Sequence, residues 1–135
     1  MPIIAWTEDM LVHIEKMDNQ HKKLLSILND LNDAMLQEKD KEVLSGIINA
    51  LADYTYYHFM TEEKYLDQFE YPETTRHKNE HRYFAEEVTR FQQQFDQGEK
   101  TLSGDIILFL KSWVFNHIRK SDQKYSPFLN ARGVT

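Results

Sequence analysis

The run His77-Lys78-Asn79-Glu80-His81-Arg82-Tyr83-Phe84-Ala85-Glu86-Glu87-Val88-Thr89-Arg90-Phe91-Gln92-Gln93-Gln94-Phe95 alternates spacings of four and three at His77, His81, Phe84, Val88, Phe91 and Phe95. That period places all six side chains on one face of an α-helix. The stripe opens with two imidazoles a turn apart, pointing the same way as the apolar residues that follow. Tyr71-Pro72 blocks continuation on the N-terminal side and Gly98 offers a stop on the other, so the helix spans about 74–96.

The neighbouring segments carry the same period. A helix over about 41–69 presents Leu44, Ile47, Leu51, Tyr54, His58, Glu62, Tyr65 and Phe69, with a local drift where two spacings of four follow each other at Tyr54, His58 and Glu62. One over about 103–120 carries Ile106, Leu110, Trp113 and His117. The first, over about 19–37, opens with Asp18 as N-cap and buries His21, Leu24, Leu28, Leu31 and Met35, before Glu38-Lys39-Asp40 turns the chain. There is no strand alternation, repeat or low-complexity stretch. Four long helices with short connections make an all-α, up-down-up-down antiparallel four-helix bundle, one domain over 1–135 with an N-terminal extended segment over 1–17.

In such a bundle the start of helix one, the end of helix two, the start of helix three and the end of helix four share one end. His21 is early, His58 and Glu62 are late, His77 and His81 are early, and His117 and Asp122 are late, so seven donors converge. They also continue the apolar stripes, which points them inward. Seven N and O donors exceed one tetrahedral site and suggest two metals. His117 and Asp122 are five apart, about 140° from each other on a regular helix. Both face the core only if the helix widens between Asn116 and Asp122, so a π-type turn or a break is expected there.

Composition narrows the chemistry. The chain of 135 residues has no cysteine, which excludes disulfides, thiolate-bound clusters and thiol nucleophiles. A formal net charge of −6 without a basic block argues against nucleic acid and anionic membrane. The longest aliphatic-aromatic run, Ile106 to Leu110, is far short of a span, so no membrane insertion is expected and the reading is cytoplasmic. His13 precedes the first helix and reads as structural or exposed, Trp6 as a cover over the ligand end, and Tyr65 and Tyr125 as packing, with a hydrogen bond donated towards the ligands as the alternative.

Trp6, Asp-Asn-Gln-His (18–21), His-Phe-Met-Thr-Glu (58–62), His-Lys-Asn-Glu-His (77–81) and Trp-Val-Phe-Asn-His-Ile-Arg-Lys-Ser-Asp (113–122) together resemble the hemerythrin family in its small single-domain form. The resemblance implies a non-haem di-iron centre with a bridging oxo or hydroxo group. His77, His81 and His117 would hold one iron and His21 and His58 the other, with Glu62 and Asp122 bridging both. With the single-atom bridge added, the first iron is six-coordinate and the second five-coordinate. One position beside His21 and His58 stays open for dioxygen.

Five imidazoles against two carboxylates favour Fe(II) and restrain O–O cleavage, unlike the carboxylate-rich di-iron oxidases. The expectation is therefore a reversible dioxygen carrier, store or delivery protein and not an enzyme, monomeric, with an oxygen-consuming partner that the sequence does not name. The alternatives are a di-iron redox enzyme acting on peroxide or nitric oxide, and an oxygen or iron sensor. By family match and helical adjacency, the walls of the dioxygen pocket are Leu24, Phe59, Trp113, Val114 and Ile118. Relatives carry leucine at position 114, and the shorter valine predicts a wider pocket with faster autoxidation.

Overall fold

The computed structural model describes residues 2–135; Met1 lies outside them. After a single 3-10 turn at Glu8–Met10 come α1 (Glu15–Leu36), α2 (Lys41–Gln68), α3 (Thr74–Asp96) and α4 (Gly104–Asn116). A π-helical segment, His117–Asp122, joins α4 without interruption to α5 (Gln123–Asn130). There is no strand among the described residues. Helix α1 packs on α2, α2 on α3 and α4 on α1, and stacking of Phe84 on Trp113 joins α3 to α4. The result is the expected four-helix bundle.

The helix ends explain the short loops. The first three helices finish on a left-handed residue, Glu38 at φ 53°, Glu70 at φ 55° and Gly98 at φ 76°. In each case the next amide reaches back to a carbonyl of the last turn, as from Lys39 to Ala34, Tyr71 to Leu66 and Glu99 to Gln94. Asp40 and Ser103 then cap the following helices by accepting from the amides of Val43 and Ile106.

Three expectations need correction. Helix α1 begins at Glu15, ahead of the expected start at Asn19, with Ile14 as its N-cap residue. Asp18 lies inside the helix and instead accepts from the Val12 amide at 2.8 Å, tying down the preceding segment after the chain turns at His13, φ 60°. The fourth helix does not stop at 120, because the π-segment absorbs the register mismatch and lets helical hydrogen bonding continue to Asn130. On α2 the fully buried stripe is Ile48, Leu51, Thr55, His58, Phe59, Glu62 and Leu66, while Tyr54, Tyr65 and Phe69 are half-buried at its edge. Tyr54 and Tyr65 sit beside the face, and their neighbours Thr55 and Leu66 fill it.

The interior has three layers. Leu24, Leu28, Leu31, Leu51, Phe84, Val88, Leu110 and their neighbours form the main core. Val12, Ile14, Met17, Leu66, Tyr71, Tyr125 and Leu129 form a second, smaller cluster. Along every helix the polar residues singled out above fall between these two sets, so apolar packing seals the polar layer on both sides. The N-terminal segment completes the seal. Ile4 exchanges two hydrogen bonds with the Asn29 side chain, Ser126 and Asn130 donate to the carbonyls of Val12 and His13, and Arg119 pairs with Asp9. Trp6 packs against the main core under the Lys22 ammonium, on the flank of α1.

Candidate metal centre

All seven predicted donors are buried, with Glu62, Asp122 and His21 at 0% exposure. They form two groups whose ligand atoms lie within 4.8 Å of one another. Glu62, His77, His81, His117 and Asp122 make the first, and His21, His58, Glu62 and Asp122 the second. The carboxylates belong to both, and their individual oxygens are divided between them. Glu62 Oε1 faces Nε2 of His77 at 2.6 Å and of His81 at 3.0 Å, whereas Oε2 faces Nε2 of His58 at 3.3 Å and of His21 at 3.5 Å. Asp122 Oδ1 faces His77 at 3.2 Å and His117 at 3.1 Å, and Oδ2 faces His21 at 3.0 Å. Each carboxylate thus spans two sites.

The π-segment makes this possible. It runs from His117 to Asp122, and its wider turn brings both ends onto the inner face, as the five-residue spacing demanded.

The donor set fits a pair of metal ions better than it fits a hydrogen-bond network. Both oxygens of Asp122 and both ring nitrogens of His21 are buried without a hydrogen-bond partner, although Asp122 Oδ2 and His21 Nε2 are 3.0 Å apart. These atoms are close but misaligned for a proton between them. The Nε2 atoms of His81 and His117 also face each other at 3.0 Å. Nitrogens aimed at one point rather than at an acceptor are what a cation requires.

Residues around the ligands set the tautomers. His58 Nδ1 donates to Gln20 Oε1 at 2.7 Å and His81 Nδ1 to Glu63 Oε2 at 2.8 Å, which leaves each Nε2 with its lone pair directed inward. Glu80, bonded to the Ser121 hydroxyl, stands 4.0 Å from His117 Nδ1. The Tyr125 hydroxyl donates to Glu62 Oε2 at 2.8 Å, on the two-histidine side. Tyr125 is therefore more than packing, whereas Tyr65 only packs. Gln20 and Glu63 were missed although each adjoins a ligand in the chain. Tyr125 lies beyond the expected end of the fourth helix at 120, so the helical stripe does not lead to it.

Of the proposed pocket walls, Phe59 stacks on His81 with ring centroids 3.7 Å apart and Trp113 on His117 at 4.5 Å. Both therefore cover the three-histidine group. Leu24, Val114 and Ile118 are buried in the main core, Leu24 one turn beyond His21. His13 is exposed and takes no part.

Electrostatics without a metal follow from the two carboxylates. Burial opposes a charge on His21 and His77, but Asp122 and Glu62 outweigh it and raise them from 6.5 to about 9 and about 10. Burial dominates at His58 and lowers it. Burial disfavours the charged forms of Glu62 and Asp122 too, yet the surrounding imidazoles hold both well below the carboxylate range. Burial, reinforced by the charges of Glu62 and Asp122, pushes Tyr125 far up and keeps it a donor.

Raised histidines stabilise the metal-free fold fully below 6.5 and lose that contribution as pH rises through about 9 to 10. Depressed carboxylates act in the opposite sense and lose theirs in acid. The melting temperature of the metal-free chain is expected to peak at about pH 5 to 6.5, as followed by calorimetry in chelator; a melting temperature still rising at pH 9 would contradict the assignment. Tyr125→Phe keeps the ring but removes the donor to Glu62. It is expected to weaken metal binding about tenfold in competition with a chelator, while leaving the helical circular dichroism unchanged.

Comparison with known proteins agrees with this geometry. A family model described as the hemerythrin HHE cation binding domain matches residues 12–129. A bacteriohemerythrin of Stenotrophomonas maltophilia is 31% identical over 131 residues, 97% of this chain and 84% of the relative. One from Pseudomonas aeruginosa is 34% identical over 125 residues, 93% of this chain and 80% of the relative. A crystal structure of wild-type hemerythrin matches with a TM-score of 0.88 at 28% identity, covering 93% of this chain and 96% of that chain. With its buried metal-binding cluster, the chain belongs to the hemerythrin family.

Proposed function

We propose that this chain binds dioxygen reversibly at a non-haem di-iron centre, in transport, storage or delivery of oxygen, and that it is not an enzyme. The observation that carries the reading is the asymmetry of the two donor groups. Five ligand atoms converge on one side and four on the other, with both carboxylates common to each. The side of His21 and His58 is one ligand short, so a small molecule has a place there. Held by these residues, a pair of iron ions would supply the two electrons that dioxygen takes up on binding and returns on release.

The protein's own groups favour recovery. Five imidazoles are neutral donors when metal is bound, and the two carboxylates alone bring negative charge, which restrains high-valent chemistry. Apolar side chains enclose the polar layer: Val114 and Ile118 at 1% and 2% exposure on the fourth helix, Leu24 at 2% on α1, and the rings of Phe59 and Trp113 on the imidazoles. Their packing excludes water, which would promote irreversible oxidation. Tyr125 holds Glu62 Oε2 and, with its proton firmly retained, fixes that oxygen in place. No helix among the described residues is long and apolar enough to cross a membrane.

Anaerobic loading with Fe(II), exposure to air and an argon sweep test this reading. A visible charge-transfer band that appears with air and disappears under argon over several cycles is expected. Direct conversion to a stable diferric form would overturn the carrier reading and favour redox enzymology or sensing. Val114→Leu adds one methylene to the wall and is expected to slow autoxidation at 25 °C; an unchanged or faster rate would count against the pocket assignment.

A further inference from the structure

Outside the metal layer, a groove of about 650 Å³ runs between α2 and α3. Its walls differ in character. On α2, Tyr56 and Met60 line it while standing 63% and 60% exposed. On α3 the wall carries Lys78, Arg82 and Arg90. Ala85, one turn beyond His81, contributes only a methyl and leaves the middle of the groove wide. Lys78 and Arg90 are engaged by Asp67 and Glu87, but Arg82 carries no ion pair among the described residues.

A free guanidinium beside an aromatic and a thioether wall is a cationic, apolar combination on a chain of net charge −6. Three cations and two acids line the groove; Glu63 is committed to His81 Nδ1 at 2.8 Å, and Glu86, one turn beyond Arg82, carries no ion pair among the described residues, so the cations outnumber the acids by one. The volume lies within the roughly 300 to 1,000 Å³ typical of small-molecule sites. We propose that the α2–α3 groove binds an amphipathic aromatic anion, a fused-ring carboxylate or sulfonate, with its charge on Arg82 and its rings against Tyr56, Met60 and Ala85. Arg82 suits a planar carboxylate because its paired N–H groups match two oxygens. A rigid ring system loses little freedom on entering, so the exposed apolar surface is covered at low entropic cost.

Occupancy is felt at the metal layer. The groove ends on Glu63 and His81, and Glu63 orients that imidazole, so a ligand there changes the surroundings of a metal-binding group without touching metal. The site is thus an effector site, and it stands or falls independently of dioxygen binding.

2-Naphthoate is the probe, titrated by calorimetry into the full chain with and without metal. One saturable site with a dissociation constant of about 1 mM or tighter is expected in both forms. Arg82→Gln and Ala85→Trp should each weaken it at least about tenfold, as should replacing the probe by uncharged 2-naphthamide. In the metal-free, nitrogen-labelled chain, the His81 Nδ1 resonance should move as the site fills. Absence of saturable binding, or binding indifferent to both substitutions, would overturn the proposal. Binding that leaves the His81 resonance unmoved would remove the link to the metal layer.

Discussion

Two carboxylates, Glu62 and Asp122, lie side by side at 0% exposure, and the rest of the molecule is arranged around that fact. Burying two like charges costs several kcal/mol per ion unless opposite charge is close. The chain supplies none from lysine or arginine there. Five imidazoles from four helices face the four carboxylate oxygens instead, so the charge that neutralises the layer is either protons on histidine or metal ions. This makes the bundle's polar layer a cation-binding device by necessity. It also explains why apolar clusters lie on both sides of it: water admitted to the layer would weaken every interaction holding it together.

The π-segment is the geometric counterpart of that constraint. A regular helix would carry Asp122 away from His117 and leave one carboxylate outside the layer. The wide turn allows His117, Asp122 and Tyr125 to serve the same centre from one continuous helix. Contacts from the N-terminal segment press on this region, with Asp9 paired to Arg119 and Ser126 bonded to Val12. The unusual turn is therefore held from outside as well as from within.

The fold and the convergence of the seven donors were legible because helical period and topology independently required the same placement. On α3 every predicted inward residue, from His77 to Phe95, is buried. The five-residue gap between His117 and Asp122 even announced the π-segment, since no regular helix satisfies it. Legibility failed where size was mistaken for depth, as with Tyr54 and Tyr65, whose places in the core belong to Thr55 and Leu66. It failed also for groups that act through another residue. Gln20, Glu63 and Tyr125 orient ligands by hydrogen bonds whose geometry depends on side-chain direction, and spacing along the chain does not encode that. Asp18 looked like a helix cap because its carboxylate does satisfy a backbone amide, though in the segment it ties down and not in its own first turn.

Division of the carboxylate oxygens between two sites is the feature on which the metal centre depends. Anomalous X-ray scattering from crystals of the iron-loaded chain tests this directly. Two peaks about 3.5 Å apart are predicted, one against His77, His81 and His117 and one against His21 and His58, with Glu62 and Asp122 each contacting both. A single peak, or two peaks without a shared carboxylate, would contradict it.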